Sequence, residues 1–409
     1  MKLLDPIVLR GADVLDGTGG PARKVDILIQ GSQILALGNP LEVPANSREV
    51  RLDGYFVSPG WIDLHTHVFS GYGLFSVEPQ DIGLHHGVTT LVDAGSAGAL
   101  NFELFERGVI RTARETILAY VNIASTGLPH GHAGVQGFVG DHLHGAQHSV
   151  ALAESLLNHY PDSIVGWKAR LTAVLAQNDP ELERHALTSL LQLRDATKRP
   201  VMVHHIESSI PAATLLNSLT AGDVYTHLYH GRGSTIFDKE TGQPSPEALS
   251  ARKRGVLFDV GHGSGAFQWE TAEKACQQFG FWPDTISTDL HQYNLFSPVR
   301  DLATTMTKFL HLGLPLERVI AMVTGMAAMA LGHRWGRGLI GEKASSDLTI
   351  FAVRKGTFSL TDAAGQVRVA GESILPVATI KDGNITACYG FYQLAEGDNS
   401  LGSVLQVAC

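Results

Sequence analysis

Short runs of apolar, mostly β-branched residues recur through the middle of this 409-residue chain. Between them lie stretches in which apolar positions return every three to four residues, as in an amphipathic helix: 151–160, 181–196 and 271–279. Strands that alternate with helices over about 250 residues are typical of a (β/α)8 barrel. The eight runs that predict its strands are 56–64, 88–95, 116–125, 164–171, 201–207, 223–230, 256–263 and 285–291.

The alternative architecture is an open, doubly wound α/β sheet. Sheets of that kind that bind dinucleotides carry a Gly-x-Gly-x-x-Gly motif directly after the first strand. No such motif follows the run at 56–64. The pattern therefore favours the barrel and indicates no dinucleotide site.

Both ends of the chain differ from the middle, because they read as strands and tight turns without long helical stretches. Near the start, apolar runs lie at 7–10 and 26–30, and Gly31-Ser32-Gln33 predicts a hairpin turn after the second. Similar short runs that predict strands and turns recur at 346–353, 366–369 and 377–383. We therefore expect residues 1–55 and 341–409 to pair into one small β domain beside a catalytic domain at 56–340.

The composition argues against several classes of function and partner. With 31 Lys and Arg against 40 Asp and Glu, the formal net charge is −9, and no basic run suggests nucleic acid or an anionic membrane as a partner. No apolar run approaches the roughly 20 residues of a membrane span, and no signal-peptide pattern opens the chain. The three cysteines are widely spaced, which favours reduced thiols and a cytoplasmic location.

Chemistry-bearing side chains gather at the ends of the predicted strands, which is where barrel enzymes place their active sites. His65 and His67 are two residues apart, so on a strand both rings face one side and can close on one metal ion. Three further strand ends carry His204, His227 and Asp289, and Lys168 lies inside the apolar run of the fourth predicted strand. Each alone could be an ordinary structural residue, but so many buried polar groups on one rim are hard to explain structurally, because unpaired buried polar groups cost several kcal/mol each and need compensation.

This set resembles the binuclear metal site of the amidohydrolase superfamily. The flanking sequence is similar as well, in Ser-Pro-Gly-Trp-Ile-Asp-Leu-His at 58–65, Gly-Val-Thr-Thr at 87–90 and Ala-Ser-Ser-Asp-Leu at 344–348. The runs at 200–204, 258–263, 286–291 and 301–306 resemble a dihydroorotase-like group that includes deacetylases. Two features depart from the group: His205, where a small apolar residue is usual, and a histidine-rich stretch at 130–148. The resemblance covers essentially the whole chain and implies a (β/α)8 TIM barrel with a small β-sandwich formed by both termini.

The resemblance also implies roles for the strand-end residues. Lys168 would be carboxylated by CO₂ and would bridge two divalent metal ions, most simply Zn²⁺, with Mn²⁺, Co²⁺ and Fe²⁺ as alternatives. His65, His67 and Asp289 would hold one ion, and His204 and His227 the other. A metal-bridging hydroxide would attack the substrate carbonyl, and Asp289 would be the catalytic residue that carries its proton to the leaving group.

Three further residues are candidates for substrate contacts. Arg170 is two residues from Lys168 on the same predicted strand, so both side chains face the same side. Arg170 would either form a bidentate pair with a substrate carboxylate or make an internal salt bridge. His262 and His291, near the ends of the last two strands, would contact the leaving group or orient Asp289. His205 should face away from His204.

Together these features predict a hydrolase that removes an acyl group, most simply acetyl, from a small carboxylate-bearing molecule. The substrate would be an N-acyl amino acid or an O-acetylated hydroxy acid. The alternative is a cyclic amide hydrolase similar to dihydroorotase or hydantoinase. The expected partner is a small-molecule substrate, and the oligomeric state is left open, a homo-oligomer included.

Overall fold

The computed structural model describes residues 5–128, 150–332 and 336–390, so the histidine-rich stretch at 130–148 lies outside the described residues. The strands are β1 Ile7–Arg10, β2 Asp13–Val14, β3 Arg23–Lys24, β4 Asp26–Gln30, β5 Gln33–Gly38, β6 Arg48–Arg51, β7 Phe56–Pro59, β8 Trp61–Thr66, β9 Val88–Gly98, β10 Thr116–Asn122, β11 Ile164–Leu171, β12 Val201–His205, β13 Val224–Thr226, β14 Leu257–Phe258, β15 Leu348–Thr361, β16 Val367–Lys381 and β17 Asn384–Ala387.

The α-helices are α1 Phe102–Phe105, α2 Val150–His159, α3 Pro180–Thr197, α4 Ala212–Ser218, α5 Pro246–Arg254, α6 Trp269–Glu273, α7 Leu302–His311, α8 Leu316–Met322 and α9 Gly325–Ala330. Short 3-10 helices lie at Pro79–Asp81 and Leu84–His86, and π-helical turns extend α1 and α6 through Glu106–Ile110 and Lys274–Gln278. The helices predicted at 151–160 and 181–196 are confirmed as α2 and α3. Within the described ranges, no helix is both long and apolar enough to cross a membrane.

Seven consecutive parallel strands, β8 to β14, form one curled sheet in chain order. The eighth predicted run, 285–291, closes the ring through two parallel bridges, Asp259 with Thr285 and Thr66 with Leu290. The amide of Asp289 donates to the carbonyl of His65 at 2.6 Å across this closure. The predicted (β/α)8 barrel is therefore confirmed and the open sheet is excluded.

The first predicted barrel strand, 56–64, is divided between two sheets. β7 pairs antiparallel with β15 of the terminal sheet, with Phe56 opposite Phe351, whereas β8 begins the barrel. Gly60 separates them in close contact with the second barrel strand, because a Cβ at this position would lie 2.2 Å from the hydroxyl oxygen of Thr89. The run predicted as one barrel strand therefore contributes to two different sheets.

The two ends of the chain form a β-sandwich, as expected from their strand-rich sequence. One sheet has the order β5-β4-β1-β6 and the other β17-β16-β15-β7-β2-β3, with a shared apolar core that includes Ile27, Val57 and Ile350. The turn predicted at Gly31 joins β4 to β5. The far part of the β15–β16 hairpin joins the barrel core instead, where the indole nitrogen of Trp269 donates to the carbonyl of Leu360 at 3.2 Å.

Candidate metal centre

A cavity of about 350 Å³ opens at the carboxyl ends of the barrel strands. Its floor is polar and its upper wall mixes apolar and cationic groups. All six predicted metal-site residues line it, together with two of the three predicted substrate contacts. The lining residues are His65, His67, Phe75, Leu128, Lys168, Arg170, Thr172, Val174, His204, Ile206, Glu207, His227, Arg232, Ser264, Gly265, Ala266, Asp289, His291 and Tyr293.

Three of the four floor histidines have their Nδ1 atom engaged away from the cavity. His65 Nδ1 lies 2.9 Å from the Thr226 hydroxyl, and His67 Nδ1 lies 2.9 Å from the Ser96 hydroxyl. His227 Nδ1 lies 2.7 Å from the Gly261 carbonyl, which can only accept a hydrogen bond. His227 therefore carries its proton on Nδ1 and keeps a lone pair on Nε2, the form that binds metal.

Electrostatics favour the same neutral form. Burial lowers the pKa of His67 and of His227 to about 3, and it lowers the pKa of His65 and of His204 well below the ordinary value. The rings are also close together, with centroids 4.9 Å apart for His65 and His227 and 4.4 Å apart for His204 and His227. Neutral imidazoles at this spacing are suited to share a metal cluster.

Asp289 faces the first histidine pair. Its Oδ1 atom is 3.1 Å from His67 Nε2 and 3.4 Å from His65 Nε2. The backbone at Asp289 is left-handed, with φ of 51°, and its carbonyl accepts from the side-chain amide of Asn294 at 2.8 Å. Ligand atoms of His65, His227 and Asp289 lie within 4.8 Å of one another, so the carboxylate and both histidine pairs meet in one cluster.

Lys168 lies beneath the histidines and is only 1% exposed. Its amine nitrogen is 3.2 Å from His65 Nε2, and burial lowers its pKa to about 7. A lysine in this position could serve as a metal ligand only after its cationic nitrogen has been converted to an anionic group. With that change, the donor set becomes four imidazole nitrogens and two oxygen-bearing groups, which fits zinc and similar divalent ions.

Arg170 and His291 lie above this floor. Arg170 follows Lys168 by two residues on β11, and both line the cavity, as the strand pleat predicts. The ring of His291 stacks on Phe75 with a centroid distance of 4.3 Å, and its Nε2 atom is 3.2 Å from the Ser264 hydroxyl. Both residues are therefore placed where a substrate could contact them.

His262 does not line the cavity, so the expectation that it contacts the substrate does not hold. Its Nε2 atom accepts a hydrogen bond from Lys308, its Nδ1 atom donates to the Gly263 carbonyl at 2.9 Å, and its ring stacks on Phe267. Strand β14 ends at Phe258, and Gly261 has a left-handed φ of 46°, so strand alternation does not continue as far as His262. His205 also faces away from the floor, and its Nε2 atom donates to the Ile210 carbonyl at 2.8 Å.

Sequence reasoning missed the groups that surround the floor. Asp93 accepts from the backbone amides of Val68 and Ser96, at 2.9 and 2.7 Å, and so holds the loop after His67. Asp259 is fully buried, and its carboxylate accepts hydrogen bonds from the hydroxyl groups of Thr226, Thr285 and Ser287 on the strands to either side. The available signal was a carboxylate inside an apolar strand run, which is costly unless it is hydrogen-bonded.

Known proteins share this architecture. Residues 340–386 match a family described as the Deacetylase-like composite domain. The chain is 34% identical over 360 residues to a deacetylase from Agrobacterium fabrum. The aligned region covers 86% of this chain and 84% of that protein. It is 33% identical over 362 residues to a deacetylase from Enterococcus faecalis, which covers 88% of this chain and 95% of that protein.

Two solved structures are similar over 94% of this chain. One is an adenine deaminase, whose whole chain is included in the match, with a TM-score of 0.84 and 30% identity. A dihydroorotase is covered over 98% of its length, with a TM-score of 0.80 and 32% identity. A barrel with this rim of side chains, joined to a β-sandwich from both termini, defines the class as the amidohydrolase superfamily. Within that class the chain belongs to the deacetylase family, and it is a hydrolytic enzyme.

Proposed function

We propose that this enzyme is a metal-dependent deacetylase that acts on a small carboxylate-bearing substrate, either an N-acetyl amino acid or an O-acetylated hydroxy acid. One observation carries the proposal: four imidazoles, Lys168 and Asp289 converge on the cavity floor, with Arg170 in the wall above. The family relationship supports the reaction type. The position of Arg170 supports the proposal that the substrate carries a carboxylate.

The floor residues would hold two divalent ions, with zinc as the first candidate. His65, His67 and Asp289 would bind one ion, and His204 and His227 the other. The neutral amine of Lys168 would add to the carbon of CO₂ and release one proton, which yields a carbamate anion able to bridge both ions. Bound ions of this kind polarise a substrate carbonyl and lower the pKa of water from about 15.7 toward about 7.

The protein's own groups would handle the proton and the substrate. Asp289 would accept the proton of the attacking water on its carboxylate and return it to the leaving nitrogen or oxygen, so that the acetyl–heteroatom bond breaks to acetate and a free amine or alcohol. Arg170 would bind the substrate carboxylate and so orient the acetyl group toward the floor. His291, stacked on Phe75, would contact the leaving group.

The second candidate function is hydrolysis of a cyclic amide. The 32% identity to the solved dihydroorotase, over nearly all of both chains, favours keeping it. The metal site would be the same, so only the substrate distinguishes the two functions. The full-length relatives named deacetylases favour the first.

The test combines metal content with a substrate panel on protein expressed with added zinc. We expect about two metal ions per chain, release of acetate from N-acetyl-L- or N-acetyl-D-amino acids or acetylated α-hydroxy acids, and loss of turnover with a chelator. Fewer than about one ion per chain would overturn the metal site. Turnover of dihydroorotate alone would favour the cyclic amide function.

A matched pair of variants controls for general damage. His227→Asn should lose metal and turnover. His85→Asn should keep both, because His85 lies outside the cavity lining, with its Nδ1 atom 2.9 Å from the Ala387 carbonyl. Equal losses in both variants would indicate misfolding instead.

We further propose a cytoplasmic enzyme. Among the described residues, Cys276 and Cys388 are buried free thiols, which supports a reducing compartment. Size-exclusion chromatography with light scattering would determine whether the enzyme is a homo-oligomer.

A further inference from the structure

Asp259 is a fully buried carboxylate outside the cavity lining, and the chemistry proposed above does not use it. Its Oδ1 atom accepts from the Thr285 hydroxyl at 2.7 Å. Its Oδ2 atom accepts from the hydroxyls of Thr226 at 2.7 Å and Ser287 at 2.6 Å. A buried charge of this kind costs several kcal/mol unless it is well hydrogen-bonded, so three donors on neighbouring strands keep it in one orientation.

One of these hydrogen bonds leads to the metal centre. A hydroxyl has a single proton, and that of Thr226 points to Asp259. The lone pairs of the Thr226 oxygen are therefore left to accept from His65 Nδ1, 2.9 Å away. This arrangement fixes the His65 tautomer with its proton on Nδ1. The Nε2 lone pair then faces Asp289 and Lys168.

A second hydrogen bond leads to another histidine of the centre. The Ser287 hydroxyl donates to Asp259, so its oxygen accepts from the backbone amide of Gly261 at 3.0 Å. The carbonyl of the same residue, Gly261, accepts from His227 Nδ1 at 2.7 Å. One carboxylate thus orients both His65, through Thr226, and the peptide that holds His227.

We propose that Asp259 is the positioning residue of the metal centre. It aligns one imidazole of each ion's ligand set from behind the floor, through the hydroxyls of Thr226 and Ser287. The inference rests on the metal centre proposed above but not on the identity of the substrate. Removing an outer partner of a ligating histidine typically lowers metal affinity by about 10- to 100-fold, and a similar loss is expected here.

The sharpest test concerns the hydroxyl of Thr226. Thr226→Val removes the hydroxyl while keeping the shape, and Thr226→Ser keeps the hydroxyl. Zinc affinity of the metal-free protein would be measured by chelator competition, and ligand geometry by the visible absorption of the Co²⁺-loaded protein. We expect Thr226→Val to lose about 10- to 100-fold in affinity and to change the Co²⁺ spectrum, and Thr226→Ser to restore both.

Two further variants complete the design. Asp259→Asn should weaken metal binding at least as much as Thr226→Val, and the double variant should match Asp259→Asn alone, because both changes break the same link. Thr324→Val is the control for removing a buried hydroxyl, since the Thr324 hydroxyl donates to the Ile320 carbonyl at 2.6 Å away from the cavity lining. It should lower the melting temperature without changing zinc affinity.

A merely structural carboxylate would give a different result. If Thr226→Val lowers the melting temperature as Thr324→Val does but binds zinc with wild-type affinity and an unchanged Co²⁺ spectrum, the proposal is overturned. Should Asp259→Asn fail to fold, the Thr226→Val and Thr226→Ser pair still decides. Because no substrate is used, failure of the deacetylase proposal would appear separately, as metal-loaded protein that releases no acetate.

Discussion

The amine nitrogen of Lys168 lies 3.2 Å from Nε2 of His65, in a floor almost sealed from water. A charged ammonium at that distance would repel any cation that His65 binds, and little solvent is present to screen the repulsion. A carbamate on the same nitrogen would reverse the sign of the charge and supply oxygen ligands. The charge of Lys168 must therefore change before the proposed two-ion centre can form.

Lys168→Ala should lose most of the bound metal and lower kcat/KM by at least about 100-fold, because the proposed bridging ligand would be gone. Short carboxylic acids such as acetate or propionate should restore part of the activity by occupying the space left by the carbamate. The measurement is metal content and turnover with and without added acid. Lys253→Ala, on helix α5, serves as the control and should behave like the wild type. Full activity in Lys168→Ala would refute the carbamate.

Arg170→Met should raise KM for substrates that carry a carboxylate by about 10- to 150-fold, the range expected for one charge-assisted hydrogen-bonded contact. Neutral acetyl esters or amides should be affected little. Arg232→Met is the matched control, because Arg232 also lines the cavity but pairs with Glu207 at 3.0 Å at the half-exposed rim. Equal KM changes for charged and neutral substrates would assign Arg170 to an internal salt bridge instead.

The meeting of the strand-end residues could be predicted from the sequence because two simple rules determine their position. Side chains alternate along a strand, and parallel strands in a barrel all end at one face, so His65, His204 and Asp289 had to approach one another. The same reasoning placed Arg170 beside Lys168. These are consequences of strand geometry and need no knowledge of register.

The surroundings of the ligands could not be predicted, because they depend on register and on local breaks in the strands. Thr226 pairs with His204, and Asp259 bridges to Thr285, through alignments that only barrel closure determines. His262 was misplaced because the strand ends at Phe258 and the left-handed backbone at Gly261 interrupts the alternation of side chains just before it. The change of sheet at Gly60 depends on a contact with a distant strand.

Gly263→Ala should lower kcat by about 100-fold or more. A Cβ at Gly263 would lie 2.4 Å from Oδ2 of Asp289, so the carboxylate must move, and small displacements of a catalytic group are costly. Gly280→Ala is the control for backbone strain, because Gly280 also has a left-handed φ, 63° against 53°, but has open space where the Cβ would be. Steady-state kinetics and melting temperatures of both variants would separate the two effects. Equal kcat values would show that Asp289 tolerates the shift.

Lys308 and His262 form a second buried pair, behind the barrel wall. Lys308, on α7, is fully buried, and its amine contacts His262 Nε2 and donates to the carbonyls of Thr361 at 2.6 Å and Pro298 at 3.2 Å. It therefore ties a barrel helix to the β15 strand of the long hairpin. Burial lowers the pKa of Lys308 to about 7 from its ordinary 10.5, although the negative charges of Asp362 and Asp301 act to raise it.

This lowered pKa predicts a pH-dependent contribution of Lys308 to stability. In the unfolded chain the amine keeps its proton up to its ordinary pKa of 10.5, whereas in the folded protein it loses the proton near pH 7. Between these two pH values the unfolded state binds more protons than the folded state. The contribution of Lys308 to the free energy of unfolding therefore rises with pH, by at most about 1.4 kcal/mol per pH unit, and below pH 7 it is constant. The melting temperature of the metal-free protein would be compared with that of Lys308→Met at pH 7, 8 and 9. The melting temperature of the wild type should rise relative to that of Lys308→Met as the pH rises. Every other titrating group is common to both proteins, so the change in this difference reports Lys308. A difference that does not change with pH would mean that Lys308 stays protonated in the fold.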